Sequence, residues 1–166
     1  METKKNNFNI ATIASNDACF DLQFRKDIRR ERTNSPIYYR WKVQFIITGP
    51  KKDAKLMEKI KKEISCGNVN IIKNQARFSV QKISDIIENV VPFFKKNRLL
   101  GKKQRDFELW QRAANIIYNN KGKHILDWKK NELLSLIQIQ KSTAKYKNNP
   151  REPKWIEMAK SIIKII

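Results

Sequence analysis

The sequence predicts an α+β domain, and three observations predict it. Two strands and a helix follow one another twice, over Cys19–Ser65 and again over Asn68–Phe94. Those strands alternate apolar and polar residues, so the sheet they make has one buried face. The last third of the chain carries its apolar residues at helical spacing.

The elements follow in order. Ile10–Asp17 holds two helical turns at most. In Cys19–Lys26, Phe20, Leu22 and Phe24 point one way while Asp21, Gln23 and Arg25 point the other. Asp27–Pro36 is a basic connection with Arg29, Arg30 and Arg32. In Ile37–Thr48, Tyr39, Trp41, Val43, Phe45 and Ile47 share one face and Arg40, Lys42, Gln44 and Thr48 the other. The two runs form a β-hairpin with an apolar face and a basic, polar face. Gly49-Pro50 is expected to break the second strand. Lys51–Ser65 is a helix with Leu56, Met57, Ile60 and Ile64 inward, and Gly67 ends it. A second hairpin joins Asn68–Lys73 to Ala76–Lys82 through a turn at Asn74-Gln75. Phe78 and Val80 face in; Arg77, Ser79 and Gln81 face out. Ser84 is the expected cap of a helix over Asp85–Phe94. Arg105–Asn119 buries Phe107, Trp110, Ala114 and Ile117. After a turn at Asn120–Lys123, Ile125–Gln140 is helical on Leu126, Leu133, Leu134 and Ile137. Lys141–Asn149 is a basic loop and Pro150–Pro153 a break. Trp155–Ile166 closes with Ile156, Ala159, Ile163 and Ile166 as a stripe.

The chain has 166 residues, enough for one domain with a substantial core. Its 36 basic and 16 acidic side chains leave a net charge of +20. Such self-repulsion calls for an anionic partner. Nucleic acid fits best, because phosphate contacts release counterions. A membrane partner is not expected, since no apolar run approaches eighteen residues. Cys19 and Cys66 form no C-x-x-C pair and are read as buried small hydrophobes. His124 is the single histidine and receives no role. Trp41 and Trp110 lie on apolar stripes and are read as core. Lys, Ile and Asn together supply 65 residues, and all three have A/T-rich codons. That composition, with no secretory or transit signal at the start, points to an organelle gene.

The run VPFFKKNRLLGKKQRDFELWQRAANII (Val91–Ile117) resembles the LAGLIDADG homing endonucleases. There a Pro-Phe-Phe closes one helix, a Leu-Leu-Gly-Lys-Lys loop follows, and Asp-Phe-x-x-Trp opens the next. The tail NPREPKWIEMAKSI (Asn149–Ile162) is similar to organelle-intron members of the family. IATIASNDACF (Ile10–Phe20) stands where a typical member has something like VGFVDGEGCF. The resemblance implies a single αββαββα domain over residues 1–120. Its curved four-stranded antiparallel sheet lies on nucleic acid, and residues 121–166 form a helical C-terminal extension of the same domain.

The resemblance also implies a site. In the family two signature helices pack together through small residues, and each ends in a carboxylate that binds the divalent metal. Members with one motif work as homodimers. Aligning Cys19-Phe20 places Asp17 at the metal-binding acid, Ala18 at the final glycine, Ser15 at the first acidic position and Thr12 at the first glycine. Gly49 stands where the family has a glutamine near the catalytic water. Lys102 or Lys103 takes the place of the basic residue beside the reaction. The β-branched Thr12, the side-chain-free Gly49 and the polar lead-in Asn6, Asn7 and Asn9 all depart from the family pattern.

The expected function is therefore nucleic-acid binding without cleavage and without a cofactor. The expected contacts are Gln23, Arg25, Arg29, Arg30, Arg32, Arg40, Lys42, Gln44, Arg77, Gln81, Lys102 and Lys103. Ribosomal RNA is favoured over DNA, with ribosomal proteins as neighbours, in a monomer of the mitochondrial ribosome; the chloroplast is the alternative home. The alternative functions are an Mg²⁺-dependent homodimeric DNA endonuclease using Asp17, and an intron-splicing cofactor.

Overall fold

The computed structural model describes residues 9–27, 38–144 and 155–166. Its order is α1 (Ile10–Asp17), β1 (Ala18–Asp27), β2 (Tyr38–Pro50), α2 (Ala54–Ile64), β3 (Asn68–Ile72) and β4 (Gln75–Val80). A continuous helical stretch follows as α3 (Ile83–Asp85), a π-helical turn (Ile86–Val90) and α4 (Val91–Lys96). The last helices are α5 (Lys102–Asn119), α6 (Lys130–Ala144) and α7 (Ile156–Ile165). The four strands form one antiparallel sheet in the order β1-β2-β4-β3. The expected αββαββα core with added helices is what the chain adopts.

Alternation decides which face of the sheet is buried. Phe20, Leu22 and Phe24 pair with Phe45, Val43 and Trp41 on the inner face, and all six are buried. Phe20 is the hub of an aromatic cluster. Its ring centroid lies 5.1 Å from Phe45, 5.2 Å from Trp110, 5.6 Å from Phe107 and 5.8 Å from Phe94. Helix α5 therefore packs on the centre of the sheet, and the Trp110 indole donates to the Asp21 carbonyl at 3.0 Å. Buried residues of α6 and α7 belong to the same core. The buried Gln140 amide donates to the Leu22 carbonyl at 3.2 Å and ties α6 to β1. Among the described residues, no helix is long and apolar enough to cross a membrane.

Local chemistry explains several joints. Ser65 closes α2 in the left-handed region and Gly67 follows at φ +91°. A Cβ on Gly67 would lie 2.6 Å from the Phe78 ring and 2.8 Å from the Ser79 carbonyl, so only glycine fits. The π turn ends at Val90, two residues before Pro92, which has no N–H to give the preceding turn.

Several expectations need correction. Gly49-Pro50 does not break β2: the two residues pair with Ala76 and Gln75, and Pro50 ends the strand in extended geometry, where its missing donor is harmless. The hairpin turn is Lys73-Asn74, because Ile72 pairs with Gln75. Ser84 does not cap the next helix. Helix α3 begins at Ile83, so Ser84 lies within its first turn, its buried hydroxyl without a hydrogen bond among the described residues. Leu126 and Leu134 are exposed. A short 3-10 turn (Ile125–Asp127) and an extended Trp128 interrupt the run, so the buried stripe restarts as Leu133, Leu136 and Ile137. Ile166 is exposed at the end of α7, where Ile162 takes the inward position. Cys19 is exposed, since it alternates with inward Phe20; Cys66 is half-buried. Trp41 and Trp110 are core, as expected.

Candidate nucleic-acid interface

The outer face of the sheet carries the residues that alternate with the core. Register sets their neighbours. Asp21 stands opposite Gln44, Gln23 opposite Lys42 and Arg25 opposite Arg40. Further along, Thr48 pairs with Arg77, and Arg77 with Asn70 of β3. No helix is needed to bring these side chains together, because they share one side of a pleated sheet.

The charges on this face repel one another. Lys42 has its pKa lowered by burial first, and then by the positive fields of Arg25 and Arg40; Asp27 and Asp21 offset part of this. Its ammonium donates to the Gln81 side-chain oxygen at 2.8 Å, which places Gln81 beside the face just past β4. Arg40 pairs with the Asp27 carboxylate. The Arg77 Nε is buried and makes no hydrogen bond among the described residues. A buried guanidinium nitrogen without a partner is a group for which an acceptor is still missing.

Two expected contacts behave differently from the rest. Gln44 is only 9% exposed, and its amide donates to the Asp21 carboxylate at 2.7 Å. Gln23 donates to the same oxygen. Asp21 thus holds both amides, so Gln44 is a support beneath the face rather than a free reader on it. Its partner could not be found without the register. Arg29, Arg30 and Arg32 lie outside the described residues, as do residues 145–147 of the basic tract after α6.

The second region is the C-terminal end of α1. Asn9 caps the helix, its side chain accepting from the Thr12 N–H at 3.3 Å. Ala11 and Ala14 are buried, and Thr12, Asn16 and Asp17 are exposed. Ser15 turns inward. Its hydroxyl donates to the Ala11 carbonyl and accepts the Leu100 N–H at 2.9 Å. The Leu99 N–H is held by Gln104, and Gly101 at φ +58° and ψ −134° opens α5 in a conformation suited to glycine. The loop is thereby fastened to α1, and the Lys103 ammonium donates to the carbonyl of Ala18, next to Asp17. Lys102 is exposed beside it. Of Lys102 and Lys103, Lys103 is the one that reaches the Ala18 carbonyl beside Asp17, and the Ser15–Leu100 bond that fastens the loop there was not foreseen from sequence.

A magnesium ion takes six oxygen ligands in near-octahedral geometry, several of them water. One chain offers Asp17 as its carboxylate here, while Lys103 occupies the neighbouring carbonyl. Among the described residues no cluster of three or more metal-binding side chains exists. Gly49 adds no side chain, and a Cβ there would meet Met57 at 3.1 Å and Asp53 at 3.2 Å.

Residues 13–114 match the LAGLIDADG endonuclease family, and the chain belongs to it. It is 30% identical over 96 residues to "Probable intron-encoded endonuclease 2" of Neurospora crassa, covering 57% of this chain and 21% of that protein. The chain thus spans about a fifth of that relative's length. Among solved structures, the homing endonuclease I-TnaI matches with a TM-score of 0.66 at 20% identity, covering 99% of both chains. The meganuclease I-SmaMI bound to uncleavable DNA matches with a TM-score of 0.68 at 22% identity, covering 90% of this chain and 47% of that one.

Proposed function

We propose that this protein binds nucleic acid through the outer face of its sheet and does not cleave it. The observation that carries the reading is the crowding of Arg25, Arg40 and Lys42 on one open face, where burial and neighbouring cations lower the Lys42 pKa. Polyphosphate relieves that repulsion. Arg77, Gln81 and Gln23 extend the face; Lys102 and Lys103 lie at the α1 end. The DNA-bound state of I-SmaMI supports nucleic acid as the partner class. Absence of cleavage is supported by Gly49, by Thr12 on the exposed side of α1, and by the engagement of Lys103 with Ala18.

The favoured partner is a structured RNA, and the high net charge of +20 suits an organellar ribosome in the mitochondrial matrix. Organelle lysate sedimented on a sucrose gradient, with and without a high-salt wash, tests this. Retention on a ribosomal subunit after the wash is the expected result. A free dimer near the top of the gradient overturns the ribosomal reading.

One observation favours a second reading. Asp17 is exposed at the end of α1, where a second copy could approach it. Two copies would bring two carboxylates, and Mg²⁺ between them would activate water for phosphodiester hydrolysis. DNA from the flanks of the protein's own gene, incubated with Mg²⁺, separates the readings. Cleavage that Asp17→Asn abolishes establishes the nuclease. Binding that Asp17→Asn leaves unchanged, with no cleavage, supports the first reading.

A further inference from the structure

We infer that Trp155 is a stacking platform for one unpaired nucleobase, at the far end of the β1–β2 hairpin from Asp17. The inference rests on the nucleic-acid reading and adds a site to it. Trp155 differs from the other three tryptophans. Trp41, Trp110 and Trp128 are buried, whereas Trp155 is 43% exposed. It also holds a positive φ of 63°, a region that bulky side chains rarely enter. No side-chain bond caps α7 at this position. A strained backbone that presents a large aromatic ring to solvent needs another reason, and such outliers cluster at ligand sites.

The surroundings supply that reason. Tyr39 meets the Trp155 ring edge-on at 5.8 Å and itself stacks on Phe24 at 5.7 Å and 12°. This file of rings fixes the indole to the core of the sheet and stops it from rotating freely. The Lys26 ammonium lies 5.4 Å from the indole centroid. Arg25 and Arg40 alternate with Lys26 and Tyr39, so they point to the opposite face of the hairpin and take no part in this site. A base stacked on the indole would place its phosphate within reach of the Lys26 ammonium. Aromatic faces with adjacent cations are how proteins hold single-stranded nucleic acid, because every base offers a π-face. A fully paired duplex keeps its bases stacked on one another and cannot use the ring. The site therefore selects unpaired nucleotides, while the sheet face supplies phosphate binding for paired and unpaired strands alike.

Fluorescence titration of the full chain with oligo(A) and with a blunt RNA duplex tests this. Oligo(A) is expected to quench the emission of the wild type and to leave that of Trp155→Phe little changed, since the remaining tryptophans are buried. Trp155→Gly removes the ring and suits the positive φ. It should lower oligo(A) affinity by about tenfold, within the range alanine substitution shows for one stacked base. Its duplex affinity should be unaltered, and Trp155→Phe should restore most of the oligo(A) binding. A Trp155→Gly protein that melts cooperatively and binds oligo(A) as tightly as the wild type overturns the stacking site and leaves the sheet reading standing. If neither nucleic acid binds the wild type, the sheet reading and the stacking site both fall.

Discussion

Arg25 and Arg40 face each other directly across the β1–β2 pair, two like charges at one rung of the ladder. Such pairs destabilise a sheet, and the Asp27 carboxylate pairs with Arg40. Arg25 is exposed, so its charge serves the surface rather than the core. Arg25→Gln is expected to leave folding stability within about 0.5 kcal/mol of the wild type or slightly above it. Nucleic-acid affinity should fall, and the slope of log K against log salt should flatten by about one. Urea melts and a salt series of binding isotherms check both. Unchanged affinity at low salt would place the binding surface elsewhere.

Phe20 touches four rings contributed by β2, α4 and α5, and so joins every layer of the fold. Phe20→Ala leaves a cavity at that meeting point. A loss of about 3–5 kcal/mol is expected by urea denaturation. Phe20→Leu, which refills most of the volume, should cost markedly less. Equal losses for the two would show that ring geometry outweighs volume.

Gly67 has both reasons to be glycine, a φ of +91° and no room for a Cβ. The clash includes the Ser79 carbonyl, which belongs to the β3–β4 ladder and cannot move alone. Gly67→Ala should destabilise by at least about 1–3 kcal/mol, the range of a strained backbone conformation. Gly122 also has positive φ but open space around it. Gly122→Ala should therefore cost less than Gly67→Ala in the same melt. The reverse order would contradict the clash.

These residues show what a sequence makes legible. The alternation Phe20-Leu22-Phe24 and Val43-Phe45-Ile47 reveals a sheet with one buried face, because a period of two has one physical meaning. The same alternation puts Cys19 outside, and a general preference of cysteine for interiors misled where the local pattern did not. Leu126 and Leu134 were misplaced for a different reason. Their spacing is helical, but Trp128 breaks the helix between them, so the phase of the stripe changes. The pairing of Gln44 with Asp21 and the bond from Leu100 to Ser15 were beyond reach. Each depends on which atoms the tertiary fold aligns, the first across a strand pair and the second across 85 residues. Trp155 gave no signal either, since no composition rule predicts a left-handed tryptophan.

Cys19 and Cys66 should react very differently. Cys19 is exposed on the sheet, whereas burial first and the Asp85 carboxylate second push the Cys66 thiol up to about 11. The thiolate is the reactive form, so at pH 8 a thiol reagent should label Cys19 first and Cys66 slowly. The shift also sets a pH dependence. The Cys66 pKa is raised on folding, so between about 9 and about 11 the unfolded chain loses this proton and the folded chain keeps it. The stability contribution of Cys66 is full below 9 and is lost as pH rises through that window. Cys66→Ala should flatten the fall of stability over the same range. An identical fall in both proteins would assign it to other groups.

Ser15 is the small residue on which the α1 end depends. Its hydroxyl is the acceptor for the Leu100 N–H, and the same loop leads through Gly101 to Lys103 and its bond to Ala18. Ser15→Ala removes that acceptor, leaves the donor to solvent, and adds no bulk. A loss of about 0.5–1.5 kcal/mol is expected for one hydrogen bond of this kind. The more telling effect is local. With Leu100 released, the loop over Leu99–Lys103 should exchange its amide hydrogens faster, while the β1–β2 amides stay protected. Hydrogen exchange followed by mass spectrometry resolves the two segments. Ser15→Thr keeps the acceptor and should restore protection of the loop. If the loop exchanges equally in Ser15→Ala and the wild type, Lys103 and Gln104 hold it without Ser15, and the fastening of α1 to α5 lies in those two side chains.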